Sequence, residues 1–146
     1  MSAETREEIT VGQVAVRFLI EGQESAGSVA VFEFDVPAGA MVPVAHSHDA
    51  YEETIYGLEG VLTWTIEDMT IDVGPGEAVC IPRGAIHRFD NAGDVDVTAL
   101  AIVTPGILGP DYFRDVAAVL EAAAGGPPDL AAIAGVMRSH GLTPAP

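Results

Sequence analysis

Glycines and prolines cut the chain between Ile9 and Val103 into runs too short for ordinary helices, and inside those runs apolar residues return at every second position. That period marks a strand with one face buried. Val14, Val16, Phe18 and Ile20 share one parity, and from Val29 to Val36 the residues Phe32, Phe34 and Val36 alternate with Glu33 and Asp35 before the turn at Pro37-Ala38-Gly39. Further strands are expected over Met41–His48, Glu53–Leu58, Val61–Ile66, Thr70–Val73, Glu77–Ile81, Ile86–Asp90 and Val95–Val103, about nine in all. Gly57, Gly60, Gly74, Gly76, Gly84 and Gly93 punctuate them. Strands so closely spaced, with no helix between, pair as antiparallel neighbours in a sandwich or barrel, not as parallel βαβ units. The fold class expected is all-β.

After Thr104 the pattern changes. Pro105-Gly106 and Gly109-Pro110 lead into Asp111–Ala124, where Phe113, Val116, Ala117 and Leu120 recur at helical spacing. Gly125-Gly126-Pro127-Pro128 stops that helix, and Asp129 caps a second short one carrying Leu130, Ile133 and Met137, closed by Gly141. The expected organisation is a β domain over residues 1–106 and a helical hairpin over 107–146, packed on the strands or on a partner subunit. A chain of 146 residues buries roughly 68–70% of its unfolded surface without disulfides or a structural metal. A metal site in it therefore calls for a functional reason.

Charge narrows the partners. Twenty-two acidic residues face six basic ones, all arginine, for a net charge of -16. Phosphate backbones need a basic patch, so nucleic acid is excluded, and anionic membrane surfaces are disfavoured for the same reason. The single cysteine, Cys80, rules out an internal disulfide and reads as a small buried hydrophobe with no activating cation beside it. Met1 to Thr10 is polar and acidic, with no signal-peptide core, and no apolar run reaches the roughly 20 residues of a membrane helix. The expectation is an intracellular, cytoplasmic protein.

Three of the four histidines fall in a suggestive pattern. His46 and His48 stand two apart in an extended stretch, so both lie on one face. Two imidazoles on one pleat are costly to bury unless something holds them, and a divalent cation does so at about 2.0–2.1 Å. Glu53 lies five residues beyond His48. On a continuous strand it would point the other way, so a shared site requires a bend at Asp49-Ala50-Tyr51 and a new strand. His87 follows the turn Pro82-Arg83-Gly84, and a closed barrel brings its strand beside the first. Three imidazoles and a carboxylate then converge. His140, in the last turn before Gly141, is assigned to helix-end electrostatics instead. Trp64 and Phe89 have inward parity and, with Ile55, are candidate substrate contacts, with the small Gly57 leaving room beyond Ile55. Arg83 and Arg88 are assigned to the solvated surface.

Residues 39 to 91 resemble the two motifs of the cupin superfamily. The first family pattern is Gly, five residues, His-x-His, three or four residues, Glu, six residues, Gly. It is met by Gly39, His46, His48, Glu53 and Gly60, with six residues instead of five before His46. The second is Gly, five residues, Pro-x-Gly, two residues, His, three residues, Asn, and Gly76, Pro82, Gly84, His87 and Asn91 match every position. The flanking strands and tail also resemble small single-domain cupins of the quercetin-dioxygenase-like kind.

The resemblance implies an antiparallel jelly-roll β-barrel with a C-terminal helical hairpin, and His46, His48, Glu53 and His87 as ligands of one divalent transition metal ion, whether Fe, Mn, Ni, Cu or Zn. Two open positions in an octahedral shell suit a small enol or phenol-like substrate, alone or with dioxygen. A dioxygenase-type oxidoreductase with Glu53 as transient proton acceptor is the first reading. A metal-dependent isomerase or decarboxylase, or a non-catalytic module binding a small ligand, are the alternatives. The expected partners are a small-molecule substrate and a second copy of the chain, through the outward apolar parity of Val29 and Val31.

Overall fold

A computed structural model describes residues 6–40 and 44–146. Among these residues there are eleven strands and two α-helices: β1 (Glu8–Val11), β2 (Val14–Ile20), β3 (Ala30–Val36), β4 (His46–His48), β5 (Glu52–Glu59), β6 (Leu62–Ile66), β7 (Met69–Val73), β8 (Ala78–Ile81), β9 (His87–Asp90), β10 (Val97–Thr104), α1 (Pro110–Ala122), α2 (Leu130–Ser139) and β11 (Leu142–Pro144). They form two antiparallel sheets. The six-stranded sheet runs β1-β2-β3-β10-β5-β8 and the five-stranded sheet β11-β4-β9-β6-β7.

The period-two runs bury the parity expected of them except at Ile20, which is exposed where a register shift after Phe18 breaks the pattern. Val14, Val16 and Phe18 of β2, Phe32 and Phe34 of β3, and Leu62, Trp64 and Ile66 of β6 join one core between the sheets. Phe34 meets Trp64 edge-on across it, with centroids 6.4 Å apart. Asn91 ends β9 and ties it down, its side-chain amide donating to the carbonyls of Val36 (3.0 Å) and Val95 (2.9 Å).

Helix α1 begins at Pro110 and packs Phe113 against Phe18 and Phe32, at 5.8 and 5.2 Å between centroids. Asp129 caps α2 by accepting from the amide of Ala132 at 3.0 Å. His140 bonds Asp115 at 2.9 Å, linking the end of α2 to α1. No helix among the described residues is long and apolar enough to cross a membrane.

Several expectations need correction. A further strand, β1, precedes β2 across a two-residue turn at Gly12-Gln13, where Gly12 takes a φ of 62°. The strand expected over Met41–His48 is seen at His46–His48, and residues 41–43 lie outside the described residues. The tail is not purely helical, because Leu142–Pro144 returns as β11 and pairs with β4. Cys80 is exposed, lying on the outward parity of the edge strand β8. Val29 and Val31 are half-buried rather than exposed.

Candidate metal centre

Strand β4 enters the five-stranded sheet beside β9, in a register that places His46 opposite His87. His48 shares the face of His46 because the two are separated by one residue on an extended strand. The three imidazoles meet with ring centroids 5.1 Å (His46–His48), 4.7 Å (His46–His87) and 4.5 Å (His48–His87) apart. One ligand nitrogen from each lies within 4.8 Å of the others, a grouping able to hold a metal ion.

Glu53 reaches the same space from the opposite sheet. The chain leaves β4 after His48, bends through residues 49–51 and enters β5 at Glu52, on the six-stranded sheet. Glu53 is buried and lines the cavity with the three histidines, but its carboxylate falls outside their 4.8 Å grouping. Three of the four expected ligands are therefore gathered tightly, and the fourth faces the same cavity from the other sheet.

The electrostatics follow from burial. Desolvation first, then the charge of His87, depresses His46 to about 4, against the opposing bond to Val44. His48 is pushed down to about 2 by burial and by its two imidazole neighbours. Burial also lowers His87, with the Ala85 carbonyl opposing it. Burial alone raises Glu53 to about 7. At neutral pH the histidines hold their lone pairs free, as ligation requires.

Tautomers are set locally for two of them. Nδ1 of His46 donates to the Val44 carbonyl at 2.8 Å, and that of His87 to Ala85 at 3.0 Å, leaving each Nε2 as the acceptor. His48 Nδ1 has no partner among the described residues, and neither do the buried Tyr51 hydroxyl and Trp64 indole nitrogen. The His48 and Trp64 nitrogens, both on residues that line the cavity, fit a site that is completed by something bound in it.

The cavity measures ≈ 90 Å³, room for several waters or one compact ligand where a single water takes about 10–15 Å³. Its walls are mostly apolar. Trp64 and Phe89 line it, whereas Ile55 is buried in the core and is not among the lining residues. Gly57 does not enlarge it, because its α-carbon is pressed against the Gly74 backbone. Arg88 touches the cavity but pairs with Asp90 at 2.7 Å, and Arg83 pairs with Glu52. Phe32 and Phe34 could have been placed on the lining from their inward parity alone. Leu108, Tyr112, Phe113, Val116 and Leu142, all from the tail, also line it, and no sequence signal relates them to the histidines.

Residues 32–103 match the cupin domain family model, and the chain belongs to the cupin superfamily. A curated relative, quercetin 2,3-dioxygenase from Bacillus subtilis, is 24% identical over 106 residues, covering 73% of this chain and 31% of that protein. The chain spans between 14% and 58% of the length of the curated relatives it matches. The polyketide cyclase RemF from Streptomyces resistomycificus superposes with a TM-score of 0.58 at 28% identity, covering 78% of this chain and 93% of that one. A predicted oxalate decarboxylase from Thermotoga maritima superposes at 0.62 with 20% identity, covering 69% and 92%.

The metal-free protein should lose stability in acid. Each of the three histidines has its folded pKa below the unfolded value near 6.5, so its contribution is complete above that pH and is lost as pH falls toward the folded pKa. Glu53 has the opposite sign, its contribution fading as pH rises from its ordinary 4.5 through about 7. Three imidazoles outweigh one carboxyl between pH 6.5 and 4.5, giving a net slope on the order of 1–2 kcal/mol per pH unit. Urea denaturation at stepped pH checks this. The slope should shrink in His48→Ala, and an unchanged slope in that variant contradicts the assignment.

Proposed function

We propose that this protein is a metal-dependent cupin enzyme, a dioxygenase-type oxidoreductase acting on a small enol or phenol-like compound. The observation that carries the reading is a trio of uncharged imidazoles with a buried carboxyl on the wall of one small, aromatic-lined cavity. His46 and His87 would hold a divalent transition ion through Nε2, joined by His48 and Glu53. Such an ion, when bound, supplies Lewis acidity and, if redox-active, a path for electrons to dioxygen.

The chain's own residues supply the rest. Phe34, Trp64 and Phe89 favour a flat, weakly polar ring and exclude water around it. Glu53, held near neutral pH by burial, would take the hydroxyl proton of an enol or phenol. The similarity to quercetin 2,3-dioxygenase supports the oxygen-dependent form. We read the two sheets as the halves of a closed jelly-roll barrel. Residues 107–146 act as an extension that walls the cavity of the 1–106 domain, and a homodimer belongs to the same proposal.

A second reading, enol chemistry without dioxygen such as isomerisation or decarboxylation, is favoured by the similarity to a polyketide cyclase. Dioxygen uptake by metal-reconstituted protein separates the two, with flavonols, diketones and catechols as substrates. Uptake matching substrate loss is the expected result. Turnover under strict anaerobiosis establishes the second reading, and tight binding without turnover in either atmosphere overturns both in favour of a binding module.

A further inference from the structure

Among the three imidazoles, His48 alone lacks an anchor on its second nitrogen. His46 and His87 each have Nδ1 engaged by a backbone carbonyl two residues earlier, which fixes ring plane and tautomer together. His48 Nδ1 is buried and has no partner among the described residues. The outer torsion of a histidine is broad and roughly two-fold, so without a hydrogen bond the plane must be set by packing. His87 meets His48 at 71°, edge to face. His46 and His87 are themselves candidate ligands and give no support independent of the site.

The remaining aromatic ring against His48 is Tyr51. Its ring lies on the His48 ring with centroids 4.5 Å apart and planes within 20°. Tyr51 is 0% exposed, stands outside the cavity lining, and has a hydroxyl with no hydrogen-bond partner among the described residues. Burying an unpaired hydroxyl is unfavourable, so it is the flat ring and not the phenolic oxygen that suits this position. The residue closes the bend that carries the chain from β4 on one sheet to β5 on the other.

We propose that Tyr51 is a positioning residue for the metal centre, its ring setting the plane of the His48 imidazole so that the ligand nitrogen of His48 joins those of His46 and His87. The inference rests on the metal-centre reading above.

Two variants separate the ring from the hydroxyl: Tyr51→Phe keeps the plane and Tyr51→Leu removes it. Cobalt(II) is the probe, with affinity measured by competition against a chromophoric chelator and the visible spectrum recorded. Tyr51→Phe is expected to stay within about twofold of wild type, whereas Tyr51→Leu weakens binding roughly 10–100-fold, as outer-shell changes do, and alters the spectrum. Leu62→Ala, a core change outside the cavity lining, controls for lost stability and should bind normally. Wild-type affinity and spectrum in Tyr51→Leu, or a loss no greater than that of Leu62→Ala, overturns the proposal.

A measurement on the unaltered chain covers a Leu variant that fails to fold. In metal-free protein, His48 ring protons should show an upfield shift from the tyrosine face and a single ring conformer by NMR. Two interconverting conformers, or no shift, overturn it equally. If wild type takes up no cobalt, the metal-centre reading falls as well. If wild type binds and Tyr51→Leu binds alike, only the role of Tyr51 is lost.

Discussion

His48→Ala is expected to be purified without metal, under conditions in which the wild-type protein retains an equimolar transition ion. Outer-shell changes alone cost 10–100-fold in affinity, so deleting a ligand should cost more than about 100-fold. The variant should still fold, because His48 Nδ1 has no hydrogen bond to lose and its burial depresses the group rather than anchoring it. Elemental analysis of both proteins, prepared without added metal, decides the matter. Equimolar metal in the variant would remove His48 from the ligand set and with it the basis of the proposed chemistry.

Gly57→Ala is expected to destabilise the protein strongly for the addition of a single methyl group. A Cβ built on Gly57 would lie 2.1 Å from the carbonyl oxygen of Gly74 and 2.7 Å from its carbon. Both are backbone atoms, so no side chain can swing aside. Relief requires moving β5 away from the turn at residues 74–77, where the Gly57 amide donates to Glu77 and its carbonyl accepts from Gly76, each at 2.9 Å. Overpacking of this kind costs about 1–3 kcal/mol, and a clash with two backbone atoms belongs at the upper end. Gly135→Ala, inside α2 where an added Cβ meets nothing within 4 Å, should instead stabilise by about 0.5–1 kcal/mol. Urea midpoints compare the two directly. A Gly57→Ala protein as stable as wild type would show that this corner of the two sheets yields easily.

The strands were legible because one face of each is buried and the side-chain period is two. Trp64 could be turned inward from Leu62 and Ile66 without any knowledge of its neighbours. Cys80 was placed inside by its residue type and not by parity, and its outward parity on an edge strand leaves it exposed. The period missed β11, because Leu142–Pro144 has too few residues to display one and gains its order from pairing with β4. Ile55 has the right parity for the interior but the wrong position along it, and parity carries no information about depth.

His46 and His48 were tied to each other by local geometry alone, since a strand sets residues i and i+2 on one side whatever the fold. The necessary bend before Glu53 was equally readable, being a matter of odd and even offsets. Nothing local fixes the meeting of His46 with His87 across a register, the approach of Glu53 from the opposite sheet, or the closing of the cavity by Tyr112, Phe113 and Leu142. Those depend on which strands become neighbours. That choice comes from packing summed over the whole core, a quantity no short stretch of the chain contains.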